Sequence, residues 1–321
     1  MKLKSVLIRV PATVGNFGDA LDCAAMALEA TMNVKVTPRH DGHVGIRYFG
    51  DHGERVPKAR SNLIVRAFEM ALHAGDFEFT GADFEIYSSI PVGVGLGAST
   101  AAVWSGLLAA DGLYRLGLDE QALFALAEIF DPRAGNLHAA WAGGLEIRSG
   151  EESGFTKVPI PEDFILTAVI PETIVGHATQ PGRARDPVHQ PAVYQQAATL
   201  TKLFNGTAEP SALSFLSSQP QEGQRTSPGL DEALAVAAPG VIAKFVCGDG
   251  PAIALLSREP SAHAVAAVRA CLARHGVSSS TAVFRPVSSG AREWNSLRFE
   301  KKEAASGEIV APLEGVRAAS A

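Results

Sequence analysis

Basic residues are in the minority: 28 Lys and Arg stand against 34 Asp and Glu, for a net charge of −6. That balance excludes the basic footprint of a nucleic-acid binder. Long apolar runs are also missing, and none approaches the ~18 to 20 residues of a membrane-spanning helix. Cysteine is scarce: Cys23, Cys247 and Cys271 are odd in number, far apart, and form no CxxC pair. They read as reduced thiols of a cytoplasmic protein, not as a disulfide framework. The nine histidines show no zinc-like spacing with cysteine or carboxylate, and His40 and His43 read as solvated in a hairpin. A Walker-type GK[ST] is absent, and so is a GxGxxG fingerprint after the first strand. The first ten residues alternate and then meet Pro11, so they read as a strand and not as a signal peptide.

What is present is an ordinary globular balance, with 46% hydrophobic and 19% charged residues in a chain of 321. That length is enough for two cores. Strands are expected at 2–10, 32–38, 44–49, 84–88 and 143–148. A loop is expected at 11–18 and a helix at 19–30. Further helices are expected at 62–74, at 98–116, from the Asp119 cap to about 130, and at 192–204. The stretch 151–161 reads as a linker and 205–229 as turns. Strands at 164–170, 243–246, 252–256 and 281–286 flank a helix at 261–275. Strands and helices in mixed order give the expectation of two α+β domains, 1–152 and 153–300, with a flexible tail at 301–321.

The densest chemical signal is Pro91-Val-Gly-Val-Gly-Leu-Gly-Ala-Ser-Thr-Ala101. Glycines at alternate positions, Gly93, Gly95 and Gly97, leave backbone N–H groups free to converge. The helix that follows adds its unpaired N–H groups and the positive end of its dipole. Together they make an anion site that needs no lysine. Ser99 and Thr100 add hydroxyls at the helix start, able to reach a phosphate or a Mg²⁺ ion.

This segment resembles the P-x-G-x-G-L-G-S-S motif of the GHMP kinases at Pro91, Gly93, Gly95, Leu96, Gly97 and Ser99, with Ala98 in place of the first serine. Val10-Pro-Ala-Thr-Val-Gly-Asn-Phe-Gly-Asp-Ala-Leu-Asp22 is similar to the P-A-S-T-A-N-L-G-x-G-F-D pattern of that family's homoserine kinases. Asn16 can donate to and accept from a substrate, and Asp22 can pair with an ammonium group. Cys247-Gly-Asp-Gly-Pro-Ala resembles the family's S-G-A-G-P-T turn at Gly248, Gly250 and Pro251, with Asp249 in place of a small residue. Thr179-Gln-Pro-Gly-Arg183 resembles S-T-x-E-A-R, with Arg185 an alternative register. Arg225 precedes Ser227-Pro-Gly-Leu-Asp231 as an arginine does in the family. Two arginines on one carboxylate suit an amino-acid substrate.

Phe130-Asp-Pro-Arg-Ala-Gly-Asn136, followed by Ala140, Gly143 and Gly144, resembles E-G-H-P-D-N-V-A-P-A-x-x-G-G. Its His-Pro-Asp core is replaced here. Asp131 stands where the family has a Mg²⁺-binding glutamate, and Glu128, one turn earlier, is the alternative. The resemblance implies an N-terminal domain like the second domain of ribosomal protein S5, a ferredoxin-like C-terminal domain, and ATP and substrate between them. It also implies a cytoplasmic homodimer. On this reading Pro91, Gly93, Gly95, Leu96, Gly97, Ala98, Ser99, Thr100, Gly248 and Gly250 bind ATP. Ser99 with Asp131 or Glu128 holds Mg²⁺. Asn16, Asp22, Asn136, Thr179, Arg183 and Arg225 hold an amino-acid alcohol, and Asn16, Ser99 and Asp131 are the catalytic candidates. Homoserine is the expected substrate. Threonine, a mevalonate-like acid, or a homologue that binds nucleotide without turnover are the alternatives.

Overall fold

A computed structural model describes residues 5–15, 23–148, 154–160, 163–174, 202 and 224–294. The first strand, β1 (Val6–Gly15), does not stop at Pro11 but continues to Gly15. Its pairing with β2 shifts register between Pro11 and Ala12. Proline has no N–H for the ladder, so an irregularity at this point lets the strand continue.

The larger departure is β2 (Ala24–Pro38), where the sequence suggests a helix over 19–30. Ala, Met, Leu and Glu each favour a helix by only a few tenths of a kcal/mol, roughly. As a strand the segment is bonded along both edges, to β1 on one side and on the other to β5 (Leu145–Arg148) and then β4 (Ala82–Ser88). Ala24 through Leu28 are all buried there. Local preference loses to two ladders and burial on both faces.

β3 (Val44–Phe49) lies parallel to β4, and α1 (Leu63–Ala74) connects them as a crossover. Asn62 caps α1: its Oδ1 accepts from the Ile64 N–H at 2.9 Å, while its Nδ2 donates to the Pro57 carbonyl at 2.8 Å. The central helix, α2 (Ala98–Tyr114), is buried almost all round. Its Gly106 lies so close to α1 that a Cβ would strike the Ile64 carbonyl and sit 2.8 Å from the Ala67 Cβ. α3 (Glu120–Phe130) and α4 (Ala134–Ala142) complete this layer, and the Trp104 indole donates to the Leu137 carbonyl at 3.1 Å, fixing α4 to α2.

Sheet membership crosses the division expected at residue 152. β6 (Phe155–Val158), read from the sequence as linker, pairs with β5, and β11 (Arg292–Trp294) returns to pair with β1. The second sheet holds β7 (Ile165–Pro171), β8 (Val241–Val246), β9 (Ile253–Ser257) and β10 (Ser279–Phe284) in the antiparallel order β10-β7-β9-β8. Numbered within the sheet this is 4-1-3-2, the ferredoxin-like order. Val169, Val246, Ile253 and Leu255 face α5 (Leu230–Ala235) and α6 (Ala262–Arg274). The alternate residues Leu166, Ala168, Phe245, Ala254 and Leu256 face the larger core. The fold is therefore α+β, with the two sheets joined through one continuous apolar layer. His275 does meet other potential ligands here: it lies 3.1 Å from Glu232, and both approach the buried Cys271. That grouping combines a four-residue helical step with a carboxylate from α5. The 192–204 helix, most of the 205–229 turns and the tail lie outside the described residues, except Lys202 at the end of the first and 224–229 at the end of the second.

Replacing Gly106 with valine should force α1 away from α2 and cost about 1–3 kcal/mol, read as a lower midpoint in thermal unfolding; an unchanged midpoint would contradict this packing. Glu146 on β5 is buried, and its Oε1 has no hydrogen-bond partner among the described residues. Burial pushes its carboxyl up from 4.5 to about 7, and Lys157 offsets this only in part. The folded state therefore favours the protonated acid. Its contribution is full below pH 4.5 and is lost as pH rises through about 7. Glu146→Gln should match the parent protein near pH 4.5 and exceed it at about pH 8 by ~1–3 kcal/mol in urea unfolding. An equal difference at both pH values would count against it.

Candidate active site: a phosphate cradle at a helix start

The chain leaves β4, runs through the glycine loop and enters α2. Gly93, Gly95 and Gly97 all adopt left-handed φ, at 79°, 89° and 77°. Space demands glycine as much as torsion does. A Cβ at Gly95 would collide with the Cys247 carbonyl, and one at Gly97 with the Thr13 hydroxyl. The residues between them, Val94 and Leu96, are buried and peg the loop to the core. The loop is thus held from below while its glycine backbone, with Ala98 and Ser99, lines a cleft of about 250 Å³. Ser99 is exposed on the first turn of α2. Thr100 is turned away, buried, and donates its hydroxyl to Asp131. Pro91 leads into the loop but does not line the cleft.

The turn between β8 and β9 closes the loop from behind. The Ala252 N–H donates to the Val94 carbonyl at 3.4 Å, and the Gly250 N–H to the Cys247 carbonyl at 2.7 Å. Gly248 and Gly250, φ 44° and 71°, make the turn tight enough to sit on Gly95. Neither lines the cleft; Asp249 between them does. Gln224 donates to the Gly248 carbonyl at 2.6 Å. Arg225 is anchored twice, its N–H on the Asp249 carbonyl and its Nη1 on the Gly93 carbonyl, both at 2.7 Å. Its guanidinium therefore braces the glycine loop as well as lining the cleft. Burial pushes the Cys247 thiol up to about 12, so it stays protonated and is no nucleophile.

Asp131 and Glu128, the alternative Mg²⁺ ligands, occupy different surroundings. Glu128 is exposed on α3 and is not part of the cleft wall. Asp131 is only 1% exposed, and both of its oxygens are bonded: Arg133 Nε lies 2.6 Å from Oδ1 and Nη2 3.0 Å from Oδ2, with Thr100 also on Oδ2. A guanidinium occupies the carboxylate face that a cation would need. These carboxylates do not fit a Mg²⁺ ion in this arrangement, while Ser99 places an exposed hydroxyl at the loop. Arg133 itself lines the cleft, and its Nη1 reaches Asp249 Oδ2 at 2.8 Å. The sequence motif gave it no role.

Asn136, in the first turn of α4, is buried with its Oδ1 unpartnered among the described residues. A Cβ at Gly15 would lie 2.6 Å from that oxygen. Gly15, the last described residue of β1, therefore lies directly beside Asn136. Asn16, Asp22, Thr179 and Arg183 themselves lie outside the described residues. The same cleft includes an apolar slot formed by Met32, Val56, Pro57, Leu63, Ile64 and Ile86, with Tyr48. No sequence motif marks this slot, because its walls come from β2, β3, β4 and the approach to α1.

The arrangement brings apolar side chains and converging backbone amides into one cleft. The profile described as GHMP kinases N terminal domain matches residues 62–144, a span that contains the glycine loop. A homoserine kinase of Rhodococcus erythropolis is 30% identical over 274 residues, spanning 80% of this chain and 87% of that protein. One of Leifsonia xyli subsp. xyli is 30% identical over 276 residues, 82% of this chain and 84% of that protein. The solved structure of a homoserine kinase from Cytophaga hutchinsonii superposes with a TM-score of 0.69 at 21% identity, covering 92% of this chain and 99% of that one, a likeness of fold. With a shared fold, the glycine loop at the start of α2 and 30% identity held over most of both chains, this chain belongs to the GHMP kinase family.

Proposed function

We propose that the protein transfers the γ-phosphoryl group of ATP to the side-chain hydroxyl of L-homoserine, giving O-phospho-L-homoserine and ADP. The observation that carries this reading is the cradle of three left-handed glycines at the start of α2, open to a cleft with an apolar slot beside it. The slot suits the adenine base, and the glycine N–H groups with the α2 dipole suit the phosphates. The homoserine kinases among the relatives point to the acceptor.

In the transfer, the acceptor hydroxyl oxygen forms the new P–O bond as the bond to the ADP oxygen breaks, and the hydroxyl proton leaves to solvent. Little covalent chemistry falls to the protein, so positioning and charge neutralisation supply the acceleration. Backbone amides of the loop stabilise the phosphoryl oxygens, and Ser99 offers a hydroxyl at the helix start. Asn136, with Asn16, Asp22, Thr179 and Arg183, would hold the amino acid. Asp22 would meet the ammonium and Arg183 the carboxylate. Arg225 would help through the loop that it braces. Mg²⁺ would accompany the ATP phosphates and offset part of their charge. A cytoplasmic homodimer is part of the same reading.

A second reading, nucleotide binding without turnover, draws on the bonding of Asp131 to Arg133. A kinase of another small alcohol is the third. Purified protein given Mg-ATP with L-homoserine, L-threonine or mevalonate should release ADP with L-homoserine well above the other two. ADP release with mevalonate alone would overturn the homoserine assignment. ATP binding with no ADP release from any of the three would favour the second reading.

A further inference from the structure

Two departures from the family pattern, 116 residues apart in the chain, meet in the cleft. Arg133 lies in the stretch where His-Pro-Asp is replaced, and Asp249 stands where a small residue is usual. The Arg133 guanidinium reaches two carboxylates. Nε and Nη2 lie on the buried Asp131, and Nη1 lies on Asp249 Oδ2 at 2.8 Å. The two partners are not alike. Asp131 is 1% exposed and also takes the Thr100 hydroxyl, so it is fixed. The Asp249 side chain is 36% exposed on the tip of a turn whose backbone is held independently by Gly250, Gln224 and Arg225. It can turn outward without disturbing the turn.

Both Arg133 and Asp249 line the cleft with Gly93, Gly95, Gly97 and Ser99. A free carboxylate there would oppose any phosphate entering the cradle. A guanidinium there would favour it, provided that one of its edges is open. From this geometry we infer that Asp249 is an internal stand-in for phosphate. It occupies the Arg133 Nη1 edge in the empty protein and gives that edge up to a nucleotide phosphate, while Asp131 keeps the guanidinium aimed. Arg133 then supplies positive charge to the phosphates, at a place where the available carboxylates do not suit a metal ion. Displacement of Asp249 sets part of the cost of nucleotide binding. The inference rests on the proposed ATP site.

The test is a mutant cycle read by calorimetric titration with a non-hydrolysable ATP analogue, without acceptor. Asp249→Asn should bind the analogue about 3- to 30-fold more tightly than the unaltered protein. Arg133→Gln should bind it about 10- to 100-fold more weakly. In the double variant the gain from Asp249→Asn should fall well below its size in the single variant, because only charge repulsion is left to relieve and no guanidinium edge to release. Asp249→Asn with unchanged or weaker binding would overturn the inference, as a mere latch between the two sheets would produce. A gain of undiminished size in the Arg133→Gln background would also overturn it, because general repulsion would then explain the whole effect. Arg133→Gln leaves Asp131 buried without its cation. If that variant fails to fold, Arg133→Gln is combined with Asp131→Asn, which removes the stranded buried charge, and the cycle is read in that background. Failure of the unaltered protein to bind the analogue would remove the proposed function and this inference together. Normal binding with no Asp249 effect would remove only the inference.

Discussion

The contact between Gly95 and the Cys247 carbonyl holds the site together. It is a backbone-to-backbone approach that no side chain at residue 95 would permit. Through it the β8–β9 turn of the second sheet becomes the rear wall of a loop that belongs to the first. Val94 and Leu96 hold the loop from below, and Arg225 braces it at Gly93. The amides at the start of α2 are thereby fixed before any ligand arrives. Preorganised donors cost no rearrangement at the moment they are needed, which is what phosphate recognition and phosphoryl transfer both require.

The same constraint explains why α2 is buried so thoroughly. A helix whose first turn is proposed to carry an anion site must not shift when the anion binds. Gly106 against α1 and Trp104 bonded to α4 keep it in place on two sides. Asp131 belongs to this support, since it receives Thr100 from the first turn of α2 and Arg133 from the start of α4. The three glycines, the hydroxyl of Thr100 and the Asp131–Arg133 pair form one connected structure around the helix start.

The glycine loop was legible in the sequence because its requirements are local: left-handed φ at alternate residues and a helix directly after. The cap at Asp119 was legible for the same reason. β2 was not, because Ala24 to Ala30 carry helix-forming side chains and only pairing with β1, β4 and β5 makes them a strand. β6 and β11 were missed as members of the first sheet, since short strands are defined by partners that lie far away in the chain. In the site, Thr100 and Ser99 look alike on paper, yet one faces Asp131 and the other the cleft. The apolar slot has no motif because four separate segments build it. The Arg133–Asp249 pair needs the fold to bring its halves together, and each residue alone looked like a flaw in a family pattern.

The central claim is that the backbone amides at the start of α2 receive the nucleotide phosphates. The most direct measurement follows the amide signals of Gly93, Gly95 and Gly97 in nitrogen-15-labelled protein as ATP, and separately adenosine, is added. The account expects all three to move with ATP and to stay nearly still with adenosine, which carries the base but no phosphate. Signals that remain in place with ATP while residues elsewhere shift would contradict it.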